Sequence, residues 1–203
     1  MIRNFAKPVL AAAAVAALLA ACSQQQTDKT ADDAGAAVNA AQDATSTAVG
    51  QTSAATLGAN TVGGFVNGLA VSDMYELEAA KIAYSKSDNA DIKALAAMIT
   101  TDHTASSAKL KALAPTAAPT VALPTALDER RQGLIDNLKA ASAADFDKVF
   151  LTQQAAAHDE ALTLLNGFAD NTEAPTLAAL AKEIIPKVTM HRDRAKALLD
   201  AMH

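Results

Sequence analysis

Three histidines, His103, His158 and His191, and one glutamate, Glu76, are the residues whose types and spacing offer chemistry in this chain. Each falls on the apolar stripe of a different helical pattern, where a polar group needs a partner or a ligand. Three imidazoles and a carboxylate can bind one zinc, copper, iron or manganese ion. Glu76 would neutralise part of its charge, with Asp102 or Gln154 steadying a ring from outside the ligand shell. The same groups also suit a hydrogen-bonded polar layer that braces a core, Glu76 accepting from one or two imidazoles. The sequence leaves both open. It contains no Cys-x-x-Cys, His-Glu-x-x-His, phosphate-cradling glycine loop or nucleophile elbow, so hydrolase and nucleotide chemistry lack residue-level support. A non-enzymatic structural, stress-associated or binding module is the first expectation. A mononuclear metal protein for storage, sensing or redox work is the alternative.

Helices must position these groups. The chain has 203 residues, is rich in alanine, has 3% aromatics and lacks tryptophan, a composition that favours helix over strand. Val62, Phe65, Leu69, Glu76, Ala80 and Ala83 recur at helical intervals, predicting a first long helix from about Thr61 to Lys86. On it Leu69, Phe65 and Ala83 lie within roughly 20° of Glu76, whereas Glu78 points away and Asp73 sits at the edge of the inward face. A second helix, from about Ala90 to Leu113, carries Ile92, Ala96, Ile99, His103, Ser106, Leu110 and Leu113 as a bundle seam, with Asp102 at its flank. Pro115, Pro119 and Pro124 bar further helix until after Pro124. Thr125 to Ala141 reads as a crossover helix of roughly 25 Å. A third long helix opens at the Ser142 and Asp145 cap and runs to Phe168 with His158 in its buried arc and Gln154 one turn earlier. The last helix, from about Glu173, centres His191 in a seam of Leu177, Ala181, Ile184, Val188, Ala195 and Leu198, with Pro186 one turn before it. At 1.5 Å per residue the four polar groups lie roughly 16 to 21 Å from a common end. An all-α four-helix bundle with a short crossover helix between its second and third long helices follows, the four groups meeting at mid-bundle.

The N-terminus reads as an export signal. Arg3 and Lys7 form a cationic head, and Pro8 to Ala20 an apolar run too short to span a bilayer as a permanent helix. It closes on Leu19-Ala20-Ala21-Cys22, which resembles the bacterial lipobox and makes Cys22, the sole cysteine, the expected lipidation site. Acylation there would anchor the protein to a membrane. Ser23 after the cysteine points to the outer membrane, facing the periplasm. The expected divisions are therefore a signal peptide over 1–21, a lipidated cysteine and flexible tether over 22–60, and a bundle over 61–203. Residues 23–60 hold almost no large apolar side chain to bury, so a mobile coil reaching about 35 Å is expected. The formal charge of −5 falls to −7 once Arg3 and Lys7 leave with the signal. With no basic patch to neutralise phosphates, nucleic acid is not an expected partner.

Several short motifs, taken in order, resemble one family. They are Glu76 to Ala83 (Glu-Leu-Glu-Ala-Ala-Lys-Ile-Ala), Met98 through Asp102-His103, Phe146-Asp147 followed by Gln154 and His158, and Ile185-Pro186 with His191. Together they are similar to domain-of-unknown-function family 4142, bacterial envelope proteins with a ferritin-like helical bundle, over about Val62 to Met202. The resemblance implies a fold and an envelope location. It does not imply a di-iron centre, because ferritin-like di-iron sites use Glu-x-x-His. Here Thr100, Ala155 and Val188 stand three residues before the histidines.

Overall fold

The computed structural model describes residues 34–58 and 61–202. The expected signal peptide (1–21), the lipidation site Cys22 and the start of the expected tether lie outside them. The chain divides into two compact units, Met1–Ala41 and Gln42–His203. In the first, residues 34–41 are helical. The second contains a helix over 42–53 (α1), a π-helical turn at Ala54–Gly58, and then α2 (Val62–Lys86), α3 (Ala90–Ala117), α4 (Glu129–Ala140), α5 (Phe146–Phe168) and α6 (Pro175–Asp200). The described residues contain no strand, and no helix among them is long and apolar enough to cross a membrane.

Local chemistry sets the helix ends. Thr61 caps α2 by accepting from the Gly64 N–H, Asn89 caps α3 through Asp91, and Asp128 caps α4 through Arg131. Before α5, Ser142 Oγ donates to the Asp145 carboxylate while accepting from the Asp145 N–H. The helix proper starts only at Phe146, after a turn. Two prolines sit inside helices. Pro186 is exposed within α6, and Pro115 lies in the last turn of α3, which continues to Ala117 rather than stopping near Leu113. A proline this close to a helix end forfeits a single hydrogen bond in a turn whose last carbonyls lack helical partners anyway. Helix therefore persists two residues past it, to Ala117.

Four long helices close into a bundle. α2 packs against α3 and α5 against α6, and the pairs join through α3 with α6 and α2 with α5. The interior holds two separate apolar clusters. One contains Phe65, Leu69, Leu110, Leu165, Phe168, Leu177 and Ile184, with Phe65 and Phe168 stacked at 4.0 Å. The other contains Tyr75, Ala80, Ile92, Ile99, Ile135, Phe146 and Phe150. α2 and α6 run from the first cluster to the second, whereas α3 and α5 run from the second to the first. The parallel course of α3 and α5 demands a crossover. It is made differently from the expected 25 Å helix. Val121 and Leu123 pack on the first cluster and Leu127 on the second, so the extended, proline-bearing segment 118–128 covers the distance. From Val121 to Leu127 it can reach about 20 Å at 3.3 Å per residue. The 12-residue α4 then lies along the second cluster through Leu134, Ile135 and Leu138.

The expected mobile tether is corrected over 42–58, which forms an arm on the bundle. Asp43 accepts from Asn137 Nδ2 (2.8 Å) and from Gln153 Nε2 (2.7 Å), and Gln153 Oε1 in turn accepts from the buried Tyr75 hydroxyl (3.0 Å). Arg130 donates to the Ser46 carbonyl, Thr163 donates to Gln51 Oε1, and Ala54 is buried in the first cluster. Arg130 and Arg131 both donate to Glu160 at 2.7 Å. A Cβ at Gly50 would stand 1.9 Å from Glu160 Oε2 and 2.7 Å from Arg130 Nη1. Both side chains are held in this ion cluster, so they cannot swing away freely. Gly50→Ala is therefore expected to loosen the arm: relieving the overlap costs about 1–3 kcal/mol, more than the roughly 1 kcal/mol alanine adds to a helix. Hydrogen exchange should speed over 42–58 while α2 to α6 keep their protection; unchanged protection of the arm would count against this docking.

Candidate metal centre

The gap between the two apolar clusters is filled by polar side chains, one or more from each long helix. Asp73 and Glu76 come from α2, Asp102, His103 and Ser106 from α3, Gln154 and His158 from α5, and His191 from α6. The seam spacing that alternates three and four places the buried ones there, each on a step of the apolar stripe, while the half-buried Asp102 stands at the flank. Asp73, Gln154 and His191 are fully buried, and Glu76 and His158 are 1% exposed.

The three imidazoles form a triangle, with ring centroids 5.3 to 5.7 Å apart. One nitrogen from each lies within 4.8 Å of the other two. Every ring is fixed from outside the triangle. His103 Nδ1 lies 2.8 Å from Asp73 Oδ1, whose other oxygen accepts from Ser107. His191 Nε2 lies 3.0 Å from Asp102 Oδ2, while Lys187 donates to the second oxygen of Asp102 at 2.6 Å. His158 Nδ1 lies 2.9 Å from the backbone carbonyl of Gln154. A carboxylate or carbonyl only accepts, so each of these nitrogens carries the N–H. The opposite nitrogens, His103 Nε2, His158 Nε2 and His191 Nδ1, are buried and have no hydrogen-bond partner. Holding the outer nitrogen as donor and leaving the inner lone pair free is how proteins prepare imidazoles for a metal.

The remaining candidates take other places. Glu76 lies outside the triangle, its Oε1 3.6 Å from His158 Nδ1, the nitrogen facing away from the other rings. Its Oε2 has no partner. Gln154 serves His158 through its backbone carbonyl, not the side-chain bond expected; the amide sits beside Glu76 without completing a hydrogen bond. Asp102 stands at the seam's flank and reaches across to α6. Asp73, at the edge of the inward face by angle alone, is the direct partner of His103. The signal for it was spacing on α3, where His103 and Ser107 stand four apart and grip one carboxylate.

A family assignment rests on a match over most of the chain. The profile of a family described as "Domain of unknown function (DUF4142)" matches residues 47–198, from α1 to the last turns of α6 and including every residue of the polar layer. The chain belongs to this family. No curated protein and no solved structure matches it at a significant level. The DUF4142 match begins inside the stretch expected to be a tether, in keeping with the docked arm.

Electrostatics divide the layer. Burial opposes a charge on His103. The hydrogen bond to Asp73, together with the charges of Glu76, Asp73 and Asp102, outweighs burial and raises its pKa above the ordinary histidine range. Burial, then repulsion from His103, holds His158 well below that range and lowers His191 to about 4. Burial works to raise the Asp102 carboxyl, yet Lys187 and His191 hold it below its usual value. Glu76 is pushed up to about 7 by burial, against the pull of His103.

The Glu76 shift fixes a pH dependence. Between pH 4.5 and 7 the folded protein holds a proton on Glu76 that the unfolded chain has lost, so this group lowers stability as pH rises and its cost is complete above pH 7. His191 acts oppositely: between about 4 and 6.5 the unfolded chain binds the proton, and stability falls on acidification. In metal-free protein, Glu76→Gln should match wild type near pH 4 and exceed it at pH 8, by at most about 3 kcal/mol. Urea melts at the two pH values check this; equal destabilisation at both would contradict the assignment.

Proposed function

We propose that this protein binds one divalent transition-metal ion through His103 Nε2, His158 Nε2 and His191 Nδ1. The observation that carries the proposal is that three buried imidazoles can each bring a nitrogen within 4.8 Å of the other two, and that each ring has one nitrogen tied to an acceptor and one buried nitrogen without a partner. A plain hydrogen-bonded brace accounts for the outer nitrogens and leaves three buried nitrogens without a partner of their own. A cation takes all three. Three neutral imidazoles favour zinc or copper among the available ions. The carboxylates of Asp73 and Asp102 fix ring orientation and offset charge from the second layer. Glu76, on the far side of His158, adds charge without joining the triangle. The reading is one of storage, sensing or redox handling of a metal, not of a carboxylate-bridged di-iron centre: both aspartates already hold the outer nitrogens of rings.

The address completes the proposal. The lipobox-like Leu19-Ala20-Ala21-Cys22 supports export and acylation of Cys22, and Ser23 supports retention at the outer membrane, facing the periplasm. A bundle carried there would meet metal ions entering the cell envelope.

Elemental analysis of untagged protein recovered from the membrane fraction tests both parts. About one equivalent of zinc or copper is expected, lost in the triple histidine-to-alanine variant. Asp73→Asn and Asp102→Asn should each weaken affinity 10- to 100-fold, and Cys22→Ser should move the protein to the soluble fraction with its metal retained. Substoichiometric metal that is the same in the triple variant would overturn the metal reading, and membrane retention of Cys22→Ser would overturn the anchor.

A further inference from the structure

Ser106 is the one hydroxyl of the polar layer with no role so far. It sits one turn after His103 on α3, is 5% exposed, and its Oγ has no hydrogen-bond partner. A hydroxyl inside a helix ordinarily returns its proton to the carbonyl four residues back, as Thr100, Thr101 and Thr189 do in this protein. Ser106 does not. It lines a small cleft between α3 and α6, together with Asp102, His103 and His191, and with Lys109 and Lys187 in the same lining. Two of the three imidazoles, His103 and His191, border this cleft. Glu76, by contrast, lines no part of it and contacts the outer side of His158.

We infer that the metal keeps a coordination position open towards this cleft, and that the position takes a small oxygen- or nitrogen-donor anion, of hydroxide or azide size, hydrogen-bonded by Ser106. The inference rests on the metal-binding reading of the triangle. Among the described residues no fourth imidazole, cysteine or carboxylate shares the triangle, and three protein ligands with one exchangeable position is the arrangement of reactive rather than purely structural zinc sites. Three neutral imidazoles leave the ion's double charge uncompensated within its own shell, which favours an anion over a neutral ligand. Asp73 and Asp102 bear on outer ring nitrogens and do not fill that position. Ser106 then has the partner its buried hydroxyl lacks: its O–H donates to the bound anion. The two lysines are held by Glu183 and Asp102, leaving the serine as the close donor. The narrow cleft selects small monodentate ligands.

The test uses the full chain loaded with cobalt(II), whose visible absorption reports coordination, titrated with azide. Wild type should show a saturable spectral change. Ser106→Ala should take up cobalt equally well but bind azide about tenfold more weakly, the effect of losing one hydrogen bond to a charged ligand, and Ser106→Thr should restore most of the affinity. Metal-free Ser106→Ala should melt no lower than wild type, because it removes an unpaired buried hydroxyl. A cobalt spectrum indifferent to saturating azide, or equal azide affinity in wild type and Ser106→Ala, overturns the open position or the role of Ser106 respectively. Loss of cobalt uptake in Ser106→Ala alone makes the serine structural and overturns its role too. Absence of cobalt uptake by wild type is a different result and removes the metal-binding reading beneath the proposal.

Discussion

The constraint on which this protein depends is the burial of three imidazoles at one level of a helical bundle. An imidazole away from water needs partners for both nitrogens, and an unpaired buried polar atom costs about 1–3 kcal/mol. The fold satisfies one nitrogen of each ring with an acceptor and turns the other inward. Those acceptors come from three places: Asp73 on the neighbouring helix, the Gln154 carbonyl on His158's own helix, and Asp102 across the α3–α6 contact. Opening either interhelix contact releases a ring, so ring orientation and helix packing are the same problem. A cation at the centre converts the leftover cost into binding energy.

The rest of the architecture serves that level. Two apolar clusters, one on each side, supply the packing that holds four helices in register around the polar gap. Because the histidines of α3 and α5 follow the second cluster whereas His191 of α6 precedes it, the chain needs two parallel helices in succession and a long connection between them. The extended segment 118–128 provides it, and the arm 42–58 covers the side where α4 meets α5 through Asp43, Gln51 and the Arg130, Arg131 and Glu160 cluster. Glu160 is thus buried as a paired charge, whereas Glu76 is buried almost alone and answers with a raised pKa.

Much of this was legible in the sequence, for a physical reason: seam periodicity reports which residues face inward, and it placed Glu76, His103, His158 and His191 on four stripes at similar height. The expected helix starts near Thr61 and Ala90 agree with the caps at Thr61 and Asn89, whereas the crossover helix begins at its Asp128 cap and not at Thr125. Periodicity is silent about reach and direction, however. It could not tell that Glu76 stands behind His158 instead of beside the inner nitrogens, or that Asp102, a flank residue by angle, reaches a ring on another helix. Nor could it report the arm, which is built from alanine, glycine and small polar residues with no large apolar stripe. Its docking lies in side-chain hydrogen bonds to Asn137, Gln153 and Thr163, about 90 to 110 residues away in sequence, a distance no local pattern spans. Pro115 misled in the same way: its ban on helix holds for interiors and weakens in a last turn.

The central claim is that three nitrogens, each set free by the bond its ring makes elsewhere, converge on one ion. X-ray absorption on the zinc-loaded protein addresses it most directly, since imidazole rings give a distinctive multiple-scattering pattern. The account predicts a single zinc with three imidazole nitrogens and one further oxygen or nitrogen ligand at about 2.0 to 2.1 Å. A shell dominated by carboxylate oxygens, or one containing fewer than three imidazoles, would contradict it.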